Sequence, residues 1–212
     1  MKSCADVSVL TSRLLESLDW VEHGFGTRHD NPDQAGMASL QQIHSAIPLL
    51  AQVTGSAGEG DALLTREPGL AVSIRTADCF PILLADPKTR SVAAIHAGWR
   101  GTDGGVVRAT LDRMQREFGT EPREIFAAIG PGIGTCCYEV GLDVAARFGM
   151  QAPGHLDLAA ENRKQLIAAG VIAARIEQVG GCTFCNPAHF FSWRRDHDRA
   201  GRMISFIRAA LI

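Results

Sequence analysis

Short apolar runs mark the segments of this chain that we expect to form strands. Each run is rich in apolar and β-branched side chains and is bounded by turn-forming residues, which is the pattern of a buried strand. Four runs fit it, at residues 70–74, 82–84, 91–96 and 125–129. By contrast, residues 24–36 and 54–61 are rich in Gly, Asp, Asn and Pro, so they predict loops.

A longer stretch, residues 105–118, repeats its apolar residues with the period of a helix. They follow one another at intervals of four, three and four, at Val107, Leu111, Met114 and Phe118. These intervals place them on one helix face. Thr102 or Asp103 is a candidate N-cap for this helix, and Gly119 is a candidate C-terminal stop.

Two further segments predict helices. Residues 156–169 are amphipathic and end before Gly170, while residues 142–148 predict a shorter helix. Because strands alternate with helices, the pattern predicts a fold of the α/β or mixed α+β class. The length of 212 residues suits one domain and no internal boundary is visible, so we expect a single domain over residues 1–212.

Composition and charge narrow the function classes. The net charge of -2 argues against a protein that binds nucleic acid by bulk electrostatics, yet it leaves room for a small anion held by a few arginines. No apolar run reaches the ~18 residues needed to cross a membrane. Residues 1–7 lack the apolar segment of a signal peptide. We therefore expect a cytoplasmic protein whose six cysteines are thiols.

The densest chemistry lies in residues 75–79 and 96–102, each of which follows or ends a predicted strand. In open α/β sheets, ligands bind beyond the carboxyl ends of the strands. Cys79 and His96 are therefore expected at one rim of the sheet. His44, which follows a predicted loop, is expected to reach the same rim.

Two imidazoles and one thiolate suit Zn²⁺, and three protein ligands with one open position are typical of a catalytic zinc site. Asp78 or Gln42 would orient a ligand or accept a proton. The spacing alone leaves an alternative open. Cys79 is then a small buried apolar side chain, and the histidines are structural.

Other polar segments carry two interpretations each. The turn at Gly132, Ile133 and Gly134 exposes backbone N–H groups that would cradle an oxyanion, although a plain tight turn fits equally well. The guanidinium groups of Arg194, Arg195 and Arg202 suit a carboxylate or phosphate, and also suit surface ion pairs.

Aromatic and cysteine pairs near the C-terminus are ambiguous in the same way. Core packing is favoured over base stacking for three rings, Phe190, Phe191 and Trp193. Four cysteines are candidates for a thiolate zinc site, namely Cys136, Cys137, Cys182 and Cys185. Adjacent cysteines have diverging side chains, so core packing is favoured here too.

Six motifs in order carry a family resemblance. They are QIH from Gln42, DALLT from Asp61, RTADCFPILLAD from Arg75, AAIHAGWRGT from Ala93, IGPGIGTCCYEVG from Ile129 and CTFCNPAHFFSWRRDHDRAGR from Cys182. Together they resemble the YfiH family of laccase-domain proteins, once called multicopper polyphenol oxidases. The resemblance runs from about residue 20 to the C-terminus.

The resemblance implies a zinc-dependent purine nucleoside enzyme. Its implied reactions are phosphorolysis of adenosine, inosine, guanosine and methylthioadenosine, and deamination of adenosine. Purine nucleosides and inorganic phosphate are thus its implied partners. The family's metal ligands fall on His44, Cys79 and His96. The implied fold is a layered α/β/β/α sandwich of the cytotoxic necrotising factor type.

On this reading the remaining candidates take roles around the metal. The candidate catalytic residues are Asp78 as proton shuttle, Arg75, Arg100 and Gln42. The candidate substrate and phosphate contacts are Gly132, Ile133, Gly134, Arg194 and Arg202.

Three departures from the family pattern affect the expected pocket. The segment over residues 29–41 is shortened and rich in turn residues, so part of one pocket wall would be missing. Ser45 replaces a glycine after the first metal histidine. Ala200 replaces a threonine before the final Gly-Arg pair, which removes one hydroxyl contact.

Four alternative functions stay open at this point. In a hydrolase, Cys79 is a nucleophile with His96 as its base, and a related reading is an enzyme that edits a peptidoglycan precursor. A copper polyphenol oxidase is another, although the chain has few clustered histidines for a multicopper centre. A zinc module that binds a protein partner without catalysis predicts four closed ligands.

Overall fold

The computed structural model describes residues 9–29, 32 and 34–211. Their strands are β1 (Val9–Leu10), β2 (Val21–Gly26), β3 (Met37–Gln41), β4 (Pro48–Leu50), β5 (Gly55–Glu59), β6 (Ala62–Thr65), β7 (Ala71–Thr76), β8 (Phe80–Asp86), β9 (Ser91–Ala97), β10 (Phe126–Ile129), β11 (Glu139–Val140), β12 (Gly154–His155), β13 (Ile176–Gln178) and β14 (Met203–Ala209). The α-helices are α1 (Arg13–Glu16), α2 (Trp99–Asp103), α3 (Val106–Phe118), α4 (Leu142–Ala145), α5 (Leu158–Ala168) and α6 (Trp193–Asp196). Short 3₁₀ helices cover Gln34–Gly36, Pro122–Glu124, Ala146–Phe148, Ala173–Arg175 and His197–Arg199.

Two six-stranded mixed sheets form the body of the protein. The first sheet has the strand order β1-β2-β14-β7-β3-β5, and the second has the order β13-β10-β8-β9-β6-β4. β11 and β12 form a separate antiparallel pair. Strands β6, β8 and β9 are antiparallel neighbours, which sets the register of the site described below.

The side chains of β8 and β9 alternate between two apolar cores. Leu83 and Ala94 face the first sheet, where they pack in a cluster with Val72. Ile82 and Ile95 face the opposite way, into a cluster with α3 and α5. Both faces of these strands are buried, which is why their sequences are continuous apolar runs instead of alternating ones.

The predicted mixed α+β class is confirmed, with two packed sheets and a helical layer of α3 and α5 against the second sheet. The four predicted strands coincide with β7, β8, β9 and β10, and the predicted helices with α3, α5 and α4. The stop glycines are also confirmed, since Gly119 and Gly170 have φ of 74° and 104°. Such left-handed backbone favours glycine.

The predicted N-cap of α3 is wrong. Thr102 and Asp103 belong to the preceding helix α2, and the N-cap is Gly105, whose φ of 78° turns the chain from α2 into α3. The Thr102 hydroxyl instead donates to Asn162 Oδ1 at 3.2 Å. The Asp103 carboxylate accepts from Arg147 at 2.8 Å.

Two predicted loops contain strands. Residues 24–26 complete β2, where glycines allow β14 to approach closely: a Cβ at Gly26 would lie 2.4 Å from the Ile204 carbonyl oxygen. Within residues 54–61, β5 is an exposed edge strand paired in parallel with β3. Its polar composition therefore reflects its place at a sheet edge.

Several sequence predictions fall on residues outside the described part of the chain. These are the statement about residues 1–7 and, within the shortened segment over 29–41, residues 30, 31 and 33. Across the residues that are described, no helix has both the length and the apolar character needed to cross a membrane.

Candidate metal centre and its cleft

The register of two antiparallel strands brings Cys79 and His96 together. β8 and β9 pair Phe80 with Ala97 and Pro81 with His96. Cys79 directly precedes β8, so it lies beside the end of β9. The strand pattern predicts both residues at one rim because ligands bind at the carboxyl ends of strands. The actual cause is the β8–β9 register.

His44 reaches the same point from the loop between β3 and β4. It lies three residues after the end of β3, so that strand separates it from the predicted loop over residues 24–36, and it has a positive φ of 59°. Its backbone N–H donates to Asp61 Oδ1 at 3.0 Å, and the Ser45 hydroxyl donates to Asp61 Oδ2 at 2.7 Å. One ligand atom from each of His44, Cys79 and His96 lies within 4.8 Å of the others.

Asp61 is the carboxylate that organises this site, and its role is not predicted by the sequence motifs. It is fully buried just before β6, and it accepts a hydrogen bond from His96 Nδ1 at 2.8 Å. That bond leaves Nε2 of His96 to face the cluster. Burial alone would raise the pKa of Asp61, but hydrogen bonds from His96 and Ser45 outweigh it and lower the pKa to about 2. The available signal was an acidic residue directly before an apolar run.

The same contacts set opposite charges on Cys79 and His96. Burial would raise the pKa of the Cys79 thiol, but hydrogen bonds from His44 and His96 lower it to about 6. Burial would lower the pKa of His96, but its bonds to Asp61 and Cys79 raise it to about 9. The pair is therefore a thiolate and an imidazolium near neutral pH in the metal-free protein.

The donor set fits a divalent transition metal. Bonds of about 2.0–2.3 Å to imidazole and thiolate place tetrahedral donors roughly 3.3–3.8 Å apart, so small side-chain movements suffice. Gly98 also keeps the site clear, because a Cβ there would lie 2.9 Å from Cys79 Sγ and 3.3 Å from His44 Cδ2. Three protein ligands leave one coordination position for water or substrate.

The cluster opens into a cleft of about 830 Å³, which is large enough for a nucleoside. Four arginines line it, Arg75, Arg100, Arg194 and Arg202. Three aromatic rings also line it, those of Trp99, Tyr138 and Trp193. The cleft thus combines positive charge with flat apolar surface.

Stacking holds three of these arginines over the rings. The guanidinium carbon lies 4.4 Å from the ring centroid for Arg100 over Trp99, and 5.5 Å for Arg194 over Tyr138. Arg202 lies 5.4 Å from the centroid of Trp193. The prediction that Trp193 packs in the core is wrong, since this ring is 45% exposed.

The carboxylate of Asp78 faces protein donors. Oδ1 accepts from the Thr183 hydroxyl at 2.6 Å, and Oδ2 accepts from the Ser192 hydroxyl at 3.1 Å and the Arg194 N–H at 2.6 Å. Asp78 is buried and has a φ of 84°. These bonds tie the C-terminal segment to the residue beside Cys79, which favours an orienting role over proton transfer.

The side chain of Gln42, like that of Asp78, uses its polar atoms in hydrogen bonds within the protein. Its Nε2 donates to the Arg75 carbonyl at 2.7 Å, and its Oε1 accepts from the Arg75 N–H at 2.8 Å. The side-chain amide therefore acts as a strand partner for Arg75 and fixes that arginine at the cleft.

Two of the three backbone donors predicted for the oxyanion cradle are engaged inside the protein. The Ile133 N–H donates to the Asp78 carbonyl at 2.9 Å, and the Gly134 N–H donates to Cys182 Sγ at 3.2 Å. Ile133 lines the cleft, whereas Gly132 and Gly134 line a separate cavity of about 130 Å³. Two of the expected donors are thus used inside the protein.

Comparisons with known sequences agree with this architecture. Residues 25–210 match the family described as multi-copper polyphenol oxidoreductase laccase. A purine nucleoside phosphorylase of Bacteroides thetaiotaomicron is 44% identical over 161 residues, which are 69% of this chain and 60% of that protein. The matched part of this chain therefore spans less than two thirds of that relative.

Of two further relatives, one carries the same name and one a different name. A purine nucleoside phosphorylase of Deinococcus radiodurans is 43% identical over 180 residues, covering 80% of this chain and 69% of that protein. Adenosine deaminase RL5, from an unknown prokaryotic organism, is 40% identical over 161 residues, covering 69% of this chain and 61% of that protein.

Solved structures share the fold. YlmD from Geobacillus stearothermophilus superposes with a TM-score of 0.88 at 26% identity, covering 97% of this chain and 98% of that chain. The hypothetical protein YfiH of Bacillus licheniformis gives 0.87 at 27% identity, covering 96% and 97%. The chain therefore belongs to the family of multi-copper polyphenol oxidoreductase laccase proteins, among relatives of the YfiH and YlmD type.

Proposed function

We propose that this chain is a zinc-dependent purine nucleoside phosphorylase that acts on adenosine, inosine, guanosine or methylthioadenosine, with adenosine deaminase as a side activity. The observation that carries the proposal is the cluster of His44, Cys79 and His96 at a cleft with four arginines and three aromatic rings. The names of the relatives from Bacteroides and Deinococcus, and of RL5, support the same reactions.

His44, Cys79 and His96 would hold the zinc ion through two nitrogens and one thiolate. When bound, the ion supplies a Lewis acid that activates water or an oxygen atom of the substrate at neutral pH. Asp61 fixes His96 through Nδ1, so its part is to present Nε2 in one orientation.

The cleft suits a purine and a phosphate at the same time. The rings of Trp99, Tyr138 and Trp193 and the guanidinium groups stacked on them form flat surfaces on which a purine base can stack. Arg75 and Arg100 are exposed in the cleft, and a guanidinium group binds phosphate through two parallel hydrogen bonds.

In phosphorolysis, a phosphate oxygen attacks the anomeric carbon of the sugar while the glycosidic C–N bond breaks and its electron pair leaves with the base. Positive charge develops on the sugar in the transition state, so the position of the phosphate anion controls the barrier. The arginines hold that anion. Arg194 is fixed for this purpose over Tyr138 and by its bond to the Glu139 carbonyl at 3.0 Å.

In deamination, water adds to the purine carbon that bears the amino group, and ammonia leaves. Asp78 was the sequence candidate for proton transfer in this step. Because its two oxygens accept three hydrogen bonds, we assign it instead the role of a positioning residue that holds Arg194.

A Cys/His hydrolase is the second candidate, because the low pKa of Cys79, about 6, suits a nucleophile. This candidate predicts activity in metal-free protein and its loss on alkylation of Cys79. The phosphorylase proposal predicts no activity in metal-free protein, because a chelator should abolish turnover and zinc should restore it. A Cys79→Ser variant with excess zinc completes the comparison.

The copper polyphenol oxidase reading rests on the family name and on the donor set, because two histidines and a cysteine also suit copper. In the described part of the chain, the groups that can hold a metal are this trio and a set of four cysteines. Neither provides the histidine clusters of a multicopper centre.

The test is incubation of metal-defined protein with adenosine and inosine, with and without phosphate, followed by identification of products by mass spectrometry. We expect free base and ribose 1-phosphate only when phosphate is present, and some inosine from adenosine without it. Absence of turnover by fully zinc-loaded protein would contradict the proposal.

A further inference from the structure

Four cysteines form a second group of metal-type ligands outside the cleft. Their Sγ atoms all lie within 4.8 Å of one another, in the set Cys136, Cys137, Cys182 and Cys185. Cys136 and Cys185 are exposed, and the other two are partly buried. The prediction that these side chains pack in the core is therefore wrong.

The backbone overcomes the divergence expected of adjacent cysteines. A turn follows Gly134, whose carbonyl accepts the N–H groups of Cys137 and Tyr138 at 2.9 Å each. An isolated parallel bridge then sets Gly132 beside Cys182. The turn that begins at Cys182 is closed by Asn186, whose Nδ2 donates to the Cys182 carbonyl at 2.8 Å. Two distant segments thereby point their thiols at one place.

The distances within this cysteine cluster suit a tetrahedral ion. Cys185 Sγ lies 3.5 Å from Cys136 Sγ and 3.3 Å from Cys137 Sγ. Zinc–sulfur bonds of about 2.3 Å give tetrahedral sulfur separations of about 3.8 Å. The Gly134 N–H donates to Cys182 Sγ at 3.2 Å, a bond of the kind that supports a thiolate ligand.

We propose that this cluster binds one structural Zn²⁺ ion through four thiolates, those of Cys136, Cys137, Cys182 and Cys185. Four sulfur ligands fill the coordination shell of zinc and leave no position for a reactant. The inference does not depend on the proposed catalytic function, because none of these residues lines the cleft.

The ion would stabilise one wall of the cleft. Tyr138, which lies under Arg194, directly follows Cys137. Thr183 directly follows Cys182 and donates to Asp78, the neighbour of Cys79. A zinc ion at the cluster therefore joins the two segments that position Tyr138 and Asp78.

The test uses the 212-residue chain carrying His44→Ala and Cys79→Ser, so that bound metal no longer reports on the first centre. The protein is prepared under reducing conditions, stripped with a chelator and titrated with Co²⁺ and with Zn²⁺. We expect one equivalent of either ion. The Co²⁺ form should show the visible bands of a tetrahedral ion and sulfur charge-transfer absorption of four thiolates.

Substitutions of exposed ligands make the result specific. In the same background, Cys136→Ser and Cys185→Ser should each weaken zinc binding by at least about tenfold. They should also remove about a quarter of the charge-transfer intensity, because one of four thiolates is lost. Thr135→Ser, at an exposed neighbour in the same turn, is the matched control. It should leave the zinc affinity and the charge-transfer intensity unchanged.

Two results would overturn the proposal. One is an absence of bound Co²⁺ and Zn²⁺ while every remaining thiol reacts with a thiol reagent. The other is a disulfide between two of the four cysteines, found by peptide mapping in protein kept under the same reducing conditions. The metal titration of the first variant decides the matter even where a cysteine variant does not fold.

Discussion

At the scale of single residues, the geometry of the candidate metal site depends on one carboxylate that the sequence motifs left without a role. The residue types made His44, Cys79 and His96 candidates for a metal site, and the family resemblance selected them over a purely structural role. Asp61 has many ordinary roles in a sequence. Only the pairing of β6 with β9 shows that it supports His96 and the His44 loop.

Replacement of Asp61 by asparagine tests this role. The amide cannot accept the same set of hydrogen bonds, so we expect the zinc affinity of the trio to fall about 10–100-fold. A competition titration with a chromophoric chelator measures it. Asp86→Asn is the matched control, since Asp86 is equally buried and accepts bonds from Lys88 and Thr89 away from the site. Equal affinities for both variants would argue against the role of Asp61.

The charge of Cys79 gives a pH dependence. Its pKa of about 6 means that the thiol is deprotonated above that pH and protonated below it. Zinc needs a neutral His96 and the Cys79 thiolate, so its affinity should decline below about pH 9, where His96 gains a proton, and more steeply below about pH 6. The thiolate absorbance of metal-free protein, taken as the difference from Cys79→Ser, should decline around pH 6. A midpoint near the ordinary thiol value of about 8.5 would contradict this assignment.

At the scale of elements, the buried strands β8 and β9 could be predicted from the sequence, whereas β2 and β5 could not. β8 and β9 are buried on both faces, so their apolar runs are distinct in the sequence. The glycines of β2 and the polar residues of β5 resemble loop composition, yet they reflect close strand contact and an exposed edge. The four cysteines were visible as a candidate zinc site, but core packing was favoured because the sequence does not show the bridge that joins their two distant segments.

The start of α2 gives a prediction at this scale. A Cβ at Gly98 would lie 2.9 Å from Cys79 Sγ, so Gly98→Ala should displace the thiolate and weaken zinc binding by about tenfold or more. Circular dichroism should show the helix content unchanged. Gly36→Ala, where a Cβ meets nothing within 4 Å, is the control. Undiminished zinc affinity in Gly98→Ala would show that the site tolerates the shift.

At the scale of the whole molecule, a weakly acidic protein concentrates positive charge in one cleft. The net charge is -2, while Arg75, Arg100, Arg194 and Arg202 share the cleft. Overall composition excluded bulk binding of polyanions but could not locate this local field. The assembly of the four arginines depends on how the chain folds, and three of them are held there by stacking on rings.

Removal of one of these charges should affect phosphate use. We expect Arg100→Gln to lower kcat/KM for phosphate about 10–100-fold, the loss of a charge-assisted contact of about 1.5–3 kcal/mol. The loss should affect phosphorolysis and not deamination, because deamination uses water in place of phosphate. Arg108→Gln, on the exposed face of α3 where Arg108 pairs with Asp112, is the control. An equal loss in both variants would point to a general effect on stability.

The central claim is that His44, Cys79 and His96 hold one metal ion with a position left open. Anomalous diffraction at the zinc absorption edge, from crystals of zinc-loaded protein, tests it most directly. We predict a peak within about 2.0–2.3 Å of His96 Nε2, Cys79 Sγ and a His44 ring nitrogen, with a non-protein fourth ligand. A map without a peak there, even with zinc bound at the four cysteines, would contradict the account.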